Sequence, residues 1–142
     1  MESMGDPASN NNSTVLVVED EALLRLCAAG TLEDSGFHVL EAGDASEALW
    51  LLESHPEIRV LFTDVQMPGK YDGLQLAQLV HEHWPRVVLL VTSGGRNLSD
   101  KDVADHGKFI AKPYSPRQVV EGIEGLMQQQ TDRSHLPQTP KT

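Results

Sequence analysis

The chain has few cysteines, few basic residues and no long apolar run, and each shortage argues against a class of protein. It has one cysteine among 142 residues, so it cannot form an internal disulfide, and nothing indicates an oxidising compartment. Lysine and arginine total 11 against 21 aspartates and glutamates, a formal net charge of −10. No basic cluster is present, so we expect no nucleic-acid partner, because phosphate contacts need clustered lysine and arginine.

Long apolar runs are also missing. None approaches the roughly 18 residues that cross a bilayer. Residues 1–13 are polar and rich in asparagine, without the apolar segment of a signal peptide. We therefore expect a cytoplasmic protein with no membrane partner.

The chain's organisation is that of one domain between two polar tails. A length of 142 residues fits a single domain with a real core. Residues 1–13 and 129–142 lack the apolar area that offsets the entropy of ordering, so we expect both tails to be disordered. Residues 14–128, by contrast, alternate apolar runs with helical patterns.

The apolar runs predict strands at 14–18, 37–41, 58–63, 87–92 and 109–111. Helical spacing and start signals predict helices at 21–35, 44–54, 73–83 and 115–128. Asp44 with Glu47, and Ser115 with Gln118, are the expected capping pairs at the starts of the second and last of these helices. Between the last two strands, residues 94–107 contain few apolar residues, so we expect a fourth helix there that is short or mobile. In the first helix, Leu23, Leu26 and Cys27 share one face, which we expect to lie in the core.

Alternating strands and helices predict an α/β fold, a doubly wound parallel sheet with helices on both faces. The carboxyl ends of such strands form the usual binding edge. Glu19, Asp20 and Asp64 follow strands at this edge, as does Lys112, and Thr92 ends one. Three crowded carboxylates repel one another unless a cation lies between them, and a hard divalent ion prefers oxygen ligands. The arrangement predicts a Mg²⁺-dependent site that handles a phosphoryl group.

Four motifs carry a resemblance to a known family. They are VLVVEDE, LFTDVQMPG followed by DGL, VTSG, and IAKPY, in that order along the chain. Together they resemble the receiver domain of bacterial two-component response regulators, the CheY-like family, over about residues 14–128. The resemblance implies a flavodoxin-like five-stranded sheet in the order 2-1-3-4-5. No output domain is evident in the sequence, so we expect the single-domain type.

The resemblance also implies roles for the acidic residues. Asp64 matches the family's phosphoacceptor, whose carboxylate forms an acyl phosphate. Asp20 matches the direct metal ligand and Glu19 the second acidic residue. The backbone carbonyl of Gln66 matches the remaining protein ligand to Mg²⁺.

Further positions match residues that act on the phosphoryl group. The hydroxyl of Thr92 matches the one that bonds a phosphoryl oxygen, and Lys112 matches the lysine that pairs with the phosphoryl group or with Asp64. The family usually has a cis bond before the next proline, which implies a cis bond between Lys112 and Pro113. Phe109 matches an aromatic switch position, although a plain core aromatic is an alternative.

The function implied is that of a phosphoaccepting receiver. It would take a phosphoryl group from a sensor histidine kinase or a phosphotransfer protein, and then signal to a downstream protein or act as a phosphate sink. We expect a monomer or weak homodimer that is not a turnover enzyme. Two alternatives remain: a receiver-like binding module that is never phosphorylated, and an aspartyl-phosphate phosphatase. The phosphatase usually has a second aspartate where this chain has Gln66, which cannot titrate.

Overall fold

The computed structural model describes residues 13–95 and 97–135. The strands are β1 (Thr14–Val18), β2 (His38–Ala42), β3 (Ile58–Asp64), β4 (Val88–Ser93) and β5 (Lys108–Ala111). The α-helices are α1 (Ala22–Asp34), α2 (Ala45–Ser54), α3 (Gly73–His83) and α4 (Pro116–His135). Each strand lies within a residue or two of its predicted position.

The five strands form one parallel sheet in the order β2-β1-β3-β4-β5. This is the predicted α/β architecture and the strand order that the resemblance implied. Alternate residues of β1 enter two separate cores. Leu16 and Val18 pack with α2 and α3 on one face, whereas Val15 and Val17 pack with α1 and α4 on the other. All four are almost completely buried, as expected for a strand covered on both sides.

Polar side chains fix where two helices begin. The Glu47 N–H donates to the Asp44 carboxylate at 2.9 Å, which confirms the predicted cap of α2. At α4, the Gln118 N–H donates to the Ser115 hydroxyl at 3.2 Å, and the Ser115 N–H donates back to the Gln118 side chain at 2.8 Å. This reciprocal pair is the capping box that the sequence predicted.

The predicted inner face of α1 is wrong. Leu23 and Leu26 are 73% and 58% exposed, and Cys27 is exposed as well rather than filling the core. The buried residues of the helix are Ala28, Ala29 and Leu32. Two alanines and Leu32 thus face the sheet, whereas Leu23, Leu24 and Leu26 lie on the outside of the helix.

The segment between β4 and β5 has no fourth α-helix among its described residues. It contains a single 3₁₀ turn, Asp100–Asp102, whose Asp100 carboxylate accepts a hydrogen bond from the Phe109 N–H at 2.9 Å. Asp105 and His106 follow with φ of 54° and 56°, left-handed values that end any helix. A single 3₁₀ turn thus stands where a short fourth helix was expected. The mobility expected of this segment stays a prediction.

Helix α4 continues to His135, past its predicted end at Gln128. Residues 129–135 are therefore helical, and the expectation of disorder is wrong for them. Residues 1–12 and 136–142, where disorder was also expected, lie outside the described residues. No helix in the described part of the chain is long and apolar enough to cross a membrane.

Candidate functional site

The carboxyl ends of β1, β3, β4 and β5 meet at one edge of the sheet. Asp64, the last residue of β3, pairs in register with Thr92 on β4. Glu19 follows β1 directly, and Lys112 follows β5. Parallel pairing therefore gathers at one edge the side chains that the sequence predicted to meet there.

Three carboxylates form the centre of this edge. One oxygen from each of Glu19, Asp20 and Asp64 lies within 4.8 Å of the others. Glu19 and Asp64 are each only 7% exposed, whereas Asp20 is exposed to solvent. Two buried negative charges and one exposed charge at this separation repel one another, and burial strengthens the repulsion because water screens it less.

The Lys112 ammonium offsets part of this charge. Its Nζ lies 2.9 Å from Asp64 Oδ2 and 3.3 Å from Glu19 Oε1. Burial alone lowers the pKa of Lys112, but its hydrogen bond with Asp64 and the charges of Asp64 and Glu19 outweigh burial and leave that pKa raised. The lysine therefore stays protonated and bridges two of the three carboxylates.

Glu19 responds in the way expected of a crowded carboxyl group. Burial raises its pKa, and the negative charge of Asp64 raises it further. Its hydrogen bond from the Glu21 N–H, at 3.1 Å, and the charge of Lys112 oppose these effects without cancelling them. Burial and the neighbouring charge of Asp64 thus disfavour the ionised form of Glu19.

Local backbone contacts orient the carboxylates. The Gln66 N–H donates to Asp64 Oδ1 at 3.3 Å, which leaves Lys112 on the other oxygen. Arg25 was not predicted to contribute, yet its Nη1 donates to the Glu19 carbonyl at 2.8 Å and its Nε to Glu41 at 3.3 Å. Nothing in the sequence pattern marks this arginine, because its partners come from different strands.

Thr92 carries a polar atom with no partner in the described residues. The residue is 3% exposed, and its Oγ1 has no hydrogen-bond partner. It lines a small cavity together with Asp64, Glu19 and Tyr114. A buried hydroxyl without a partner is costly, so its presence beside Asp64 indicates a group that arrives from outside.

Gly73 is a second residue that the sequence did not single out for the site. A Cβ at Gly73 would overlap the Asp64 carbonyl oxygen and lie 2.7 Å from the Asp64 carbonyl carbon. The Gly73 N–H donates to the Val65 carbonyl at 2.8 Å, and the Val65 N–H donates to the Thr92 carbonyl at 2.9 Å. The first residue of α3 therefore holds the end of β3 in place by direct backbone contact.

Two further expectations concern β5 and the residues after it. The bond between Lys112 and Pro113 is cis, as the resemblance implied. Phe109 is half-buried and packs against the core formed with α2 and α3. This packing of Phe109 is compatible with a switch residue and with an ordinary core aromatic, so its role as a switch stays a prediction.

The donor set fits a hard divalent cation. Carboxylate oxygens are the preferred ligands of Mg²⁺ and Ca²⁺, and three of them converge here. Open space of about 450 Å³ lies beside them, between Asp20 and the loop that contains Gln66, Met67 and Pro68. Lys112 contributes one positive charge beside these three carboxylates in the described structure, so a divalent cation would complete the charge balance.

The family model of the response regulator receiver domain matches residues 15–124. The chain belongs to this family. The described residues cover the matched range except position 96, and they include Asp64 and Lys112. The family is that of two-component response regulators, and its receiver domains generally bind Mg²⁺ and interact with histidine kinases or phosphotransfer proteins.

Among curated relatives, the chain is 34% identical to the transcriptional regulatory protein PdtaR of Mycobacterium tuberculosis over 115 residues, which are 78% of this chain and 54% of that protein. It is 32% identical to the hydrogenase transcriptional regulatory protein HoxA of Cupriavidus necator over 126 residues, 86% of this chain and 26% of HoxA. The receiver-domain chain thus spans about half, or less, of the length of these relatives.

Solved structures agree with the fold. A response regulator receiver protein from Sinorhizobium medicae superposes with a TM-score of 0.78 at 27% identity, covering 86% of this chain and 99% of that one. The receiver domain of the hybrid histidine kinase CckA gives a TM-score of 0.70 at 30% identity, covering 81% of this chain and 99% of that one. The chain is similar in length to these isolated receiver domains.

Proposed function

We propose that this receiver accepts a phosphoryl group on Asp64 from a sensor histidine kinase or a phosphotransfer protein. The observation that carries the proposal is the placement of Asp64. Its carboxylate is bound by Lys112 at 2.9 Å, lies within 4.8 Å of two other carboxylates, and adjoins the unpartnered Thr92 hydroxyl. A buried structural aspartate would account for the ion pair with Lys112, but not for the two further carboxylates and the unpartnered hydroxyl beside it.

The transfer is a displacement at phosphorus. An oxygen of Asp64 attacks the phosphorus of a phosphohistidine, a P–O bond forms, and the P–N bond to the donor imidazole breaks. The donor ring carries a proton on its other nitrogen, so it keeps the electron pair of the broken P–N bond and leaves as neutral imidazole, and the product is an acyl phosphate on Asp64. Because the carboxylate and the phosphoryl group are both negative, the protein must offset charge along the line of approach.

Mg²⁺ is the cation we assign to the cluster. The carboxylates of Glu19, Asp20 and Asp64 would hold it, together with the backbone carbonyl of Gln66. When bound, it would supply positive charge that offsets the repulsion between the carboxylates and the incoming phosphoryl group. The exposure of Asp20 leaves that side of the cluster open to the ion.

Two residues then hold the transferred group. The Thr92 hydroxyl donates to one phosphoryl oxygen and so gains the partner that it lacks in the described structure. The Lys112 ammonium, already between Asp64 and Glu19, pairs with another oxygen without a large movement. Both contacts exist only after phosphorylation, and they therefore supply a difference between the two states.

The output of the receiver is also a proposal. We infer that it signals through protein contacts, or acts as a phosphate sink, and that it is not a turnover enzyme. The side chain of Gln66 supports this over a phosphatase, because an amide cannot serve as the acid and base of hydrolysis. A change at Thr92 on phosphorylation can reach Phe109, which pairs in register with the neighbouring Val91. We place this activity in the cytoplasm, where kinase and phosphotransfer partners act.

The proposal is tested with a small-molecule phosphodonor, which needs no partner protein. Wild type should acquire one acid-stable, hydroxylamine-labile phosphoryl group per chain in Mg²⁺ and almost none in EDTA. Asp64→Asn should acquire none, whereas Asp44→Asn, a matched change at the cap of α2, should behave as wild type. Stoichiometric labelling of Asp64→Asn would contradict the assignment, and so would equal labelling with and without Mg²⁺.

A further inference from the structure

The amino-terminal edge of the sheet, opposite the carboxylate cluster, contains an irregularity in β3. In the pairing of β1 with β3, Thr14 lies beside Ile58. The next pair joins Val15 to Val60, so Arg59 is an extra residue, a β-bulge of a kind that is rare in parallel sheets. Its two neighbours enter different cores, because Ile58 packs with α2 and α3 whereas Val60 packs with α1 and α4. A bulge typically re-aims a side chain, and here that side chain is an arginine.

The side chain of Arg59 reaches the last turns of α4. Its Nη2 donates to Gln130 Oε1 at 2.9 Å, and Gln130 Nε2 donates to the Arg86 carbonyl at 2.8 Å. Arg86 lies in the loop between α3 and β4, also at the amino-terminal edge of the sheet. One glutamine therefore joins two arginines that are far apart in the sequence, and we call these two residues the arginine pair.

The arginine pair has no acidic partner in the described part of the chain. No ion pair between described residues includes Arg59 or Arg86. The Nε of Arg59 is buried and has no hydrogen-bond partner there. Burial lowers the pKa of Arg59, and the positive charge of Arg86 lowers it further. By contrast, the other two arginines whose side chains are described, Arg25 and Arg117, each pair with a glutamate.

The arginine pair is unfavourable for the chain by itself. A buried N–H without an acceptor costs free energy, and two positive charges brought together repel. Aspartates and glutamates outnumber lysines and arginines by 21 to 11, yet no described carboxylate is paired with either arginine. A guanidinium presents parallel N–H donors that match the two oxygens of a carboxylate. The geometry thus indicates a site for carboxylates from outside the described residues.

The surroundings of the arginine pair favour a protein as the source of these carboxylates. Arg86 is exposed, so an occupant meets it at the open surface, whereas small molecules bind in concave pockets. An anionic membrane is disfavoured, because a chain with a net charge of −10 is repelled by a surface of the same sign. A protein that presents one acidic segment can approach this edge alone and avoid the acids elsewhere on the chain.

We propose that Arg59 and Arg86 bind an acidic segment of a partner protein, with one carboxylate on each guanidinium. The arginine pair lies roughly 16 Å from the phosphoryl site, since Arg59 and Asp64 are near opposite ends of the same strand. A partner held there leaves the carboxylate cluster open to a phosphodonor. This inference goes beyond the proposed function, because the binding does not depend on the state of Asp64.

The test uses a synthetic peptide in place of the unidentified partner. A fluorescent peptide rich in glutamate, and the same peptide with glutamine at those positions, are titrated into the full chain at low salt, where exposed ion pairs are least screened. Wild type should bind the glutamate peptide about fivefold more tightly, as expected for two exposed ion pairs. In NMR spectra, the Nε–H signals of Arg59 and Arg86 should shift on addition of the glutamate peptide. Equal binding of the two peptides, or unmoved Nε–H signals, would overturn the proposal.

Matched variants separate binding from folding and from net charge. Arg86→Gln keeps the backbone carbonyl that Gln130 binds, so it should retain the unfolding free energy of wild type while weakening the glutamate peptide about threefold. Arg117→Gln removes the same charge from an exposed pair with Glu121 and should bind the peptide as wild type does. An equal loss in both variants would show an effect of net charge alone and would overturn the proposal.

Three further measurements identify the occupant. If the double variant Glu2→Gln with Asp6→Asn binds the glutamate peptide more tightly than wild type, the chain's own acids compete for the arginine pair and the assignment to a partner is wrong. Binding to phosphatidylserine vesicles that is lost in Arg86→Gln would assign the site to a membrane instead. Asp64→Asn should bind the peptide as wild type does, so a failure of phosphoryl labelling leaves this test intact, and loss of peptide binding in Asp64→Asn would contradict the independence of the two sites.

Discussion

Replacing Gly73 by alanine should damage both the stability of the fold and the position of Asp64. Gly73 is the first residue of α3, where alanine would otherwise favour a helix. Here the added Cβ would overlap the Asp64 carbonyl oxygen and lie 2.7 Å from its carbon and 2.8 Å from Val65 Cα. Carbon atoms in ordinary contact are about 3.5–4.0 Å apart, so the backbone must move by roughly 1 Å.

The size of the effect follows from what must move. Overpacking costs about 1–3 kcal/mol when side chains can adjust, and at Gly73 every near atom belongs to the backbone of Asp64, the last residue of β3, or of Val65, the residue after it. We therefore expect a loss of about 3 kcal/mol in the free energy of unfolding, measured by urea denaturation. Gly125→Ala is the matched control, because a Cβ there meets nothing within 4 Å in the middle of α4. It should stabilise the protein by about 0.5–1 kcal/mol.

The same variants test the link to the site. Displacing the end of β3 moves Asp64 away from Lys112, so phosphoryl labelling of Gly73→Ala should be slower at temperatures where the variant remains folded. A loss below about 1 kcal/mol, or an equal loss in Gly125→Ala, would refute the reasoning from the close approach of α3 to β3.

Three further predictions concern the site. Thr92→Val should leave the unliganded protein at least as stable as wild type, because it removes a buried hydroxyl without a partner. The same change should weaken BeF₃⁻ binding about tenfold, and equal affinity in calorimetry would contradict the role of the hydroxyl. Asp20→Asn should raise the thermal stability of the Mg²⁺-free protein and weaken Mg²⁺ binding, and unchanged Mg²⁺ affinity in a titration would exclude Asp20 as a ligand. The folded protein raises the pKa of Glu19 above its ordinary value of 4.5, so ionisation of Glu19 opposes folding. Without Mg²⁺, the wild type should therefore lose stability relative to Glu19→Gln as the pH rises from 4.5 through the raised pKa. Urea unfolding measured across this pH range tests the prediction, and a gain in relative stability with rising pH would contradict it.

The sequence allowed the sheet edge to be predicted because polar residues follow unbroken apolar runs. Asp64 and Lys112 each come directly after such a run, and parallel strands bring their carboxyl ends together whatever the details of packing. The capping residues Asp44 and Ser115 were predictable for a similar reason, since their hydrogen bonds join residues three apart.

Other features depended on packing and could not be predicted in this way. Helix α1 has apolar residues on two faces, and periodicity cannot tell whether Leu26 or Leu32 meets the sheet. The end of α4 has a polar sequence that resembles a tail, yet Gln130 binds the side chain of Arg59 and the carbonyl of Arg86. The close approach of Gly73 to Asp64 joins residues whose contact only the folded chain creates.

The most direct test of the central claim is to locate the phosphoryl group by residue. Wild type is incubated with a small-molecule phosphodonor and Mg²⁺, reduced with borohydride, and digested for mass spectrometry. Reduction converts a phosphorylated aspartate to homoserine, so we expect homoserine at position 64, dependent on both Mg²⁺ and the phosphodonor. Homoserine at another aspartate, or none at any position in a folded sample, would exclude Asp64 as the phosphoacceptor.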